Sequence, residues 1–248
     1  MFKHPTVDKL RELKLHTMAQ MLYDPDPSLC ELSFEDRLGI MVEKEWLYRK
    51  DRQIQRLIKA ATLSVNACME DIDYTSERNI DKSLLLQLSS CLFLEQKLNI
   101  VVTGKTGCGK SYLICALGQA ACRKGFRVKY YRIPELLLDM QEAKNEHTVR
   151  KFMFQLQRVH LLILDDIGLK SFTLDESRDI LEIAESRYHK GSTILSGQIP
   201  HTKWYELFPD PTVADAVMDR IIHDAFIIGL DSDRSMREII AKKRKLIA

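Results

Sequence analysis

The segment Gly104-Lys105-Thr106-Gly107-Cys108-Gly109-Lys110-Ser111 constrains this chain more than any other, because it fits G-x-x-x-x-G-K-[ST] at every fixed position. Three glycines in a short loop let successive backbone amides point at one centre. A helix opening directly behind them adds its positive pole, so such a loop is built to hold phosphate oxygens. The mechanism demands a strand before the loop and a helix after it. Both are predicted: residues 99–103 (NIVVT) are apolar and β-branched, and 111–123 read as a helix. In this reading the loop from Gly104 to Gly109 cradles a triphosphate, Lys110 reaches the β and γ phosphates, and Ser111 offers its hydroxyl to a metal. The implied cofactors are ATP and Mg²⁺.

Four further apolar runs follow at helix-length intervals: 127–132 (RVKYYR), 160–165 (HLLILD), 192–196 (STILS) and 225–230 (AFIIGL). Strand alternating with helix predicts an α/β fold, a central parallel sheet flanked by helices. The run 161–164 is uniformly apolar, as a central strand must be, and ends in Asp165 and Asp166. Acids at the carboxyl end of such a strand lie beside the phosphate loop. Asp165 is read as a magnesium holder acting through water, and Asp166 as the group that orients or deprotonates the attacking water. Gln198, just past the fourth run, is a candidate γ-phosphate sensor. Arg220 is either an arginine finger for a neighbouring subunit, which implies a homo-oligomer, or half of a surface pair with Asp224 four residues on.

Upstream of residue 97 the pattern is helical. A short helix precedes residues 24–27 (DPDP), where two prolines exclude continuation. A long helix then starts at Ser33, which is spaced to cap the amide of Asp36. On it Arg49, Arg52, Arg56 and Lys59 are spaced 3, 4, 3 and share a stripe roughly 80° wide. Leu47, Ile54, Ile58, Ala61 and Val65 are predicted to form the packed side. The stripe can meet a nucleic-acid backbone without reading bases, and Lys242 to Lys245 form a second basic cluster. Residues 70–82 read as a linker. The expected organisation is a helical N-terminal domain over 1–75, a linker and connecting helix over 76–96, and an ATPase domain over 97–248 with a reduced or absent lid.

The bulk charge excludes little, since 37 Lys plus Arg against 35 Asp plus Glu leave +2, and any polyanion contact must come from local clustering. No window approaches the roughly 18 uninterrupted apolar residues of a membrane span. Residues 1–10 lack the apolar centre of a signal peptide. A soluble, cytoplasmic protein is therefore expected, with no membrane contact. Its cysteines at 30, 68, 91, 108, 115 and 122 contain no C-x-x-C pair and read as thiols.

Taken in order, the chain resembles the IstB family of transposition ATPases, kin of the DnaC-type helicase loaders within the AAA+ class. The likeness rests on Leu10-Arg11-Glu12-Leu13, Glu43-Lys44-Glu45-Trp46 and Lys59 to Leu63 in the helical part. It continues through Glu70 to Tyr74, Gly104 to Ser111, Ala116-Leu117-Gly118, Leu164-Asp165-Asp166, Gln198-Ile199-Pro200, Trp204-Tyr205 and Asp210 to Arg220. Ser235-Met236-Arg237 resembles the family's G-E-S-x-R ending, but Asp233 and Arg234 stand where Gly and Glu belong. The resemblance implies an AAA+ P-loop fold behind a small all-helical domain. It also implies ATP-dependent assembly on double-stranded DNA and presentation of that DNA to an IstA-type transposase. The same ATPase motifs fit a helicase loader. A P-loop kinase needs an arginine-rich lid, and none is visible between Asp166 and Gln198.

Overall fold

The computed structural model of the chain describes residues 5–29, 31–74, 80–231 and 235–236. The second basic cluster, Lys242 to Lys245, and Arg237 lie outside them. The chain divides into two compact units, residues 1–56 and 57–248.

In the first unit, α1 (Pro5–Glu12) and α2 (His16–Tyr23) precede the long α3 (Phe34–Ala61), whose last five residues belong to the second unit. The single short helix expected before residue 24 is two helices. Lys14 adopts φ 59°, and the Leu15 amide donates to the Leu10 carbonyl, which closes α1 as a Schellman-type end without the usual glycine. Ser33 caps α3 as expected, its Oγ accepting from the Asp36 amide at 3.2 Å. Of the side of α3 expected to pack, Ala61 is buried and Ile58 packs against the core, but Leu47 is half exposed and Val65 falls beyond the helix. Within the first unit, α3 instead buries Glu45, 3% exposed, whose carboxylate accepts from the Thr17 and Met18 amides and so caps α2, a helix with no side-chain cap of its own.

The second unit holds a five-stranded sheet, β1 (Asn99–Gly104), β2 (Val128–Arg132), β3 (Leu161–Ile167), β4 (Ser192–Gly197) and β5 (Ala225–Leu230). It is parallel throughout, in the order β2-β3-β4-β1-β5. Alternation along the strands builds two cores, one per face. Ile100, Val102, Ile163 and Ile194 meet α6 (Lys110–Arg123), α4 (Lys82–Ser89) and α5 (Leu92–Glu95) on one side. Val101, Leu162, Leu164 and Leu195 face α7 (Ile133–Asn145), α8 (Val149–Arg158), α9 (Leu174–Arg187) and α10 (Pro211–Ile222) on the other.

The division at 56/57 differs from the expected boundary near 75. Ala61, Ala67, Ile72, Leu85, Leu88, Phe93 and Leu94 are all buried in the α6-side core. The polar text around residue 70 hides this, because its few apolar residues point inward while Glu70 reaches out to Arg123 at 2.8 Å. Among the described residues no helix is long and apolar enough to cross a membrane.

Candidate nucleotide site

The strand order β3-β4-β1 brings three carboxyl ends side by side, delivering Asp165 and Asp166, Gln198, and the loop after Gly104 to one edge. The loop's conformation explains its glycines at two points. At Gly104 an added Cβ would collide with the Leu230 carbonyl oxygen, so β5 packs against bare backbone. Gly109 opens α6 at φ 95°, a left-handed N-cap, and no side chain caps this helix. The first-turn donors of α6 therefore suit phosphate oxygens. Lys110 is 7% exposed, and its ammonium donates to the Gly104 and Lys105 carbonyls at 2.7 and 3.0 Å, with no carboxylate among the described residues bonded to it. A buried cation held by neutral carbonyls is charge-matched to an incoming polyphosphate.

Asp165 is 1% exposed and accepts on both oxygens. Ser111 Oγ donates to Oδ2 at 2.7 Å, Tyr130 Oη to the same oxygen at 3.0 Å, and the Asp166 amide to Oδ1 at 2.9 Å. Burial first, and then the neighbouring Asp165 charge, push the Tyr130 hydroxyl far above its ordinary range despite an opposing hydrogen bond from Ser64, so it stays protonated and donates. A hydroxyl and a carboxylate in contact form the hard-oxygen donor set that magnesium prefers. These two residues fit the ion.

Asp166 sits where the register of β3 against β4 slips between Leu164 and Ile167, with φ 66°. That backbone, strained for a residue other than glycine, aims its carboxylate at Arg132, whose Nε donates to Oδ2 at 2.8 Å. The hydrogen bond and the Asp166 charge hold the Arg132 guanidinium above its usual pKa. Gln198 Oε1 accepts from Thr106 Oγ1 at 2.9 Å, joining the end of β4 to the phosphate loop.

A model of the IstB-like ATP binding protein family matches residues 8–245. The chain belongs to that family. An insertion sequence ATP-binding protein of Sinorhizobium fredii is 37% identical over 239 residues, covering 96% of this chain and 98% of that one. The ATP-binding protein of insertion sequence IS1162 from Pseudomonas fluorescens is 37% identical over 203 residues, covering 81% and 88%. Among solved structures, DnaI superposes with a TM-score of 0.58 at 16% identity, over 71% of this chain and 93% of that one. The DnaC helicase loader gives 0.52 at 17%, over 63% and 93%. These last two likenesses show the fold alone, a parallel sheet flanked by helices around a phosphate loop.

Within this IstB-like chain the remaining expected residues fall in different places. Arg220 donates to Glu185 of α9 at 2.9 Å and to the Ala216 carbonyl at 2.8 Å, rather than pairing with Asp224, and it bonds to no residue of the phosphate loop. Arg49, Arg52 and Arg56 lie in the first unit and Lys59 in the second, all exposed. Arg49 is committed locally: its Nε meets Glu45 at 2.8 Å and its Nη2 the Lys14 carbonyl at 3.0 Å. Two site residues carried no sequence signal. Arg132 and Tyr130 belong to β2, and only the β2-β3 register, which sets Arg132 against Asp165, brings them to the aspartates. A basic face was also missed: α8 exposes Arg150, Lys151 and Arg158, with no acid from 147 to 160.

Proposed function

We propose that this chain is an ATP-hydrolysing AAA+ protein that assembles on duplex DNA and serves a transposase in moving an insertion sequence. The observation that carries this reading is the convergence of Lys110, the Ser111–Asp165 pair, Asp166 and Gln198 on one phosphate loop, in a chain of the IstB-like family. Lys110 exchanges its two loop carbonyls for the β and γ phosphate oxygens. Ser111 and Asp165 hold magnesium, which when bound supplies positive charge against the phosphates. Asp166, once it leaves Arg132, orients the attacking water or takes its proton. Gln198 leaves Thr106 to contact the γ phosphate. Arg220, freed from Glu185, enters the site of a neighbouring copy, and this requires a homo-oligomer.

Exposed Arg52, Arg56 and Lys59, together with the α8 cations, supply the phosphate-backbone contacts, with Arg49 contributing least. The names of the relatives connect the family to insertion sequences, and one solved structure of similar fold is a DnaA bound to AMPPCP and single-stranded DNA. Turnover of ATP by the purified chain is expected to be slow alone, to rise with duplex DNA and with protein concentration, and to vanish in Lys110→Ala. Turnover indifferent to both DNA and concentration would sink the proposal. Capture of a replicative helicase in place of a transposase would turn the assignment to a helicase loader.

A further inference from the structure

Behind Asp165 the buried hydroxyl of Tyr130 meets the stretch that follows α3, whose Ser64 is exposed. The Asp165 carboxylate only accepts, so Tyr130 spends its single hydrogen on Oδ2, at 3.0 Å. The Tyr130 oxygen can still accept, and the exposed Ser64 side chain is placed to donate to it. Ser64 Oγ also lies 3.4 Å from the Cys115 thiol, a contact in which either atom can donate. Cys115 and Tyr130 are 0% and 6% exposed. Ser64 lies three residues beyond α3. In the same stretch the Thr62 hydroxyl donates to the Ala61 carbonyl at 2.8 Å and lies 3.4 Å from the Tyr130 carbonyl. The stretch 62–64 therefore lies against Tyr130 at both its backbone and its hydroxyl, while Tyr130 donates to the Asp165 carboxylate.

We infer that Tyr130 is a positioning residue that fixes Asp165 for the magnesium–nucleotide complex and couples it, through Ser64, to the segment that ends α3. This deepens the function proposed above and rests on it only for the claim that DNA acts through α3. Nucleotide bound with magnesium firms the segment 62–66, and a polyanion that shifts the end of α3 alters how well Asp165 is held.

The test uses the full chain and its Tyr130→Phe and Ser64→Ala variants, with a fluorescent ATP analogue as probe and thermal melting as the check on folding. Affinity is measured with magnesium and with chelator, and amide hydrogen exchange is followed over 62–66. In Tyr130→Phe, affinity in chelator stays at the wild-type value, and the gain from magnesium falls by about tenfold, the size of one hydrogen bond to a charged group. Protection of 62–66 by magnesium–nucleotide, present in the wild type, disappears in both variants. Ser64→Ala keeps most of the magnesium gain. A Tyr130→Phe protein with an undiminished magnesium gain, or one equally weakened in chelator, overturns the positioning role. Persisting protection of 62–66 overturns the coupling. If the wild type shows both effects while DNA leaves its turnover unchanged, the DNA reading falls and Tyr130 keeps its role. A wild type without magnesium-dependent binding ends both.

Discussion

The phosphate-loop site and the basic stretch of α3 are organised in opposite ways. At the loop, Lys110, Ser111, Asp165, Asp166 and Gln198 each have a hydrogen-bond partner at 2.7 to 3.0 Å. On α3, Arg52 and Arg56 stand exposed, and the fixed contact of Arg52 is with the Tyr48 ring at 5.6 Å. Chemistry on a γ phosphate depends on reacting groups placed to within a fraction of an ångström. Holding a charged polymer needs only cations near its backbone and counterions to release. Under the proposed function, preorganisation belongs where bonds would break, and loose charge where a nucleic-acid backbone would slide past.

The largest expected effects sit on the organised side. Arg220→Ala should lower turnover of the assembled protein by about 10³, the low end of what an arginine finger contributes, while leaving the dilute chain's basal rate unchanged. Glu185→Ala removes the resting partner of Arg220 and should not reproduce that loss. Steady-state hydrolysis against protein concentration separates the two, and an equal loss at all concentrations would show that Arg220 matters only to its own subunit. Asp166→Asn comes next, with turnover down about 10², as for loss of a general base, and nucleotide affinity within twofold of wild type. Affinity falling in step with turnover would mean that Asp166 binds nucleotide instead of handling water.

What could be read in the sequence follows the same divide. Gly104 to Ser111 and the acids after 161–164 were legible because local backbone geometry dictates residue type there. Only certain residues make a phosphate cradle, and only an apolar run makes a central strand. Arg132 and Tyr130 were invisible because their roles arise from the pairing of β2 with β3, which joins positions over thirty residues apart along the chain. The boundary at 56/57 was hidden by composition, since Ile72 and Tyr74 pack inward from a segment whose average is polar. The break between α1 and α2 lacked its usual cue, with Lys14 rather than glycine taking the left-handed position. On α3, residue spacing located the cations, but it could not tell that Arg49 is spent on Glu45.

That distinction gives a smaller, sharper test on the charge side. Arg52→Ala with Arg56→Ala should weaken duplex binding by roughly tenfold at moderate salt, and reduce the slope of log affinity against log salt by about 2, one unit for each phosphate no longer neutralised. Melting of the protein should not move. Fluorescence anisotropy at three salt concentrations measures the slope. A slope unchanged in the double variant would transfer the backbone contacts to α8, where Arg150→Ala with Arg158→Ala is the matching pair.

Arg49 should behave in the reverse manner, with little effect on the salt slope and a local loss of stability. Burial pushes the Glu45 carboxyl up, yet the hydrogen bonds from Arg49 and from the Thr17 and Met18 amides outweigh it, and the net pKa lies below the ordinary 4.5. The unfolded chain then binds this proton at a higher pH than the folded one. The stabilisation is complete above about pH 4.5 and is lost as pH falls through the lower folded value. Glu45→Gln keeps the shape, gives up the charge-assisted bonds, and should cost about 1 kcal/mol at neutral pH. Amide exchange at Thr17 and Met18 reads this directly: it should accelerate in Glu45→Gln and Arg49→Ala, and in the wild type on acidification below pH 4.5, while Arg52→Ala leaves it alone. Equal acceleration in Arg49→Ala and Arg52→Ala would mean that the two arginines are interchangeable surface charges and that the cap on α2 draws nothing from Arg49.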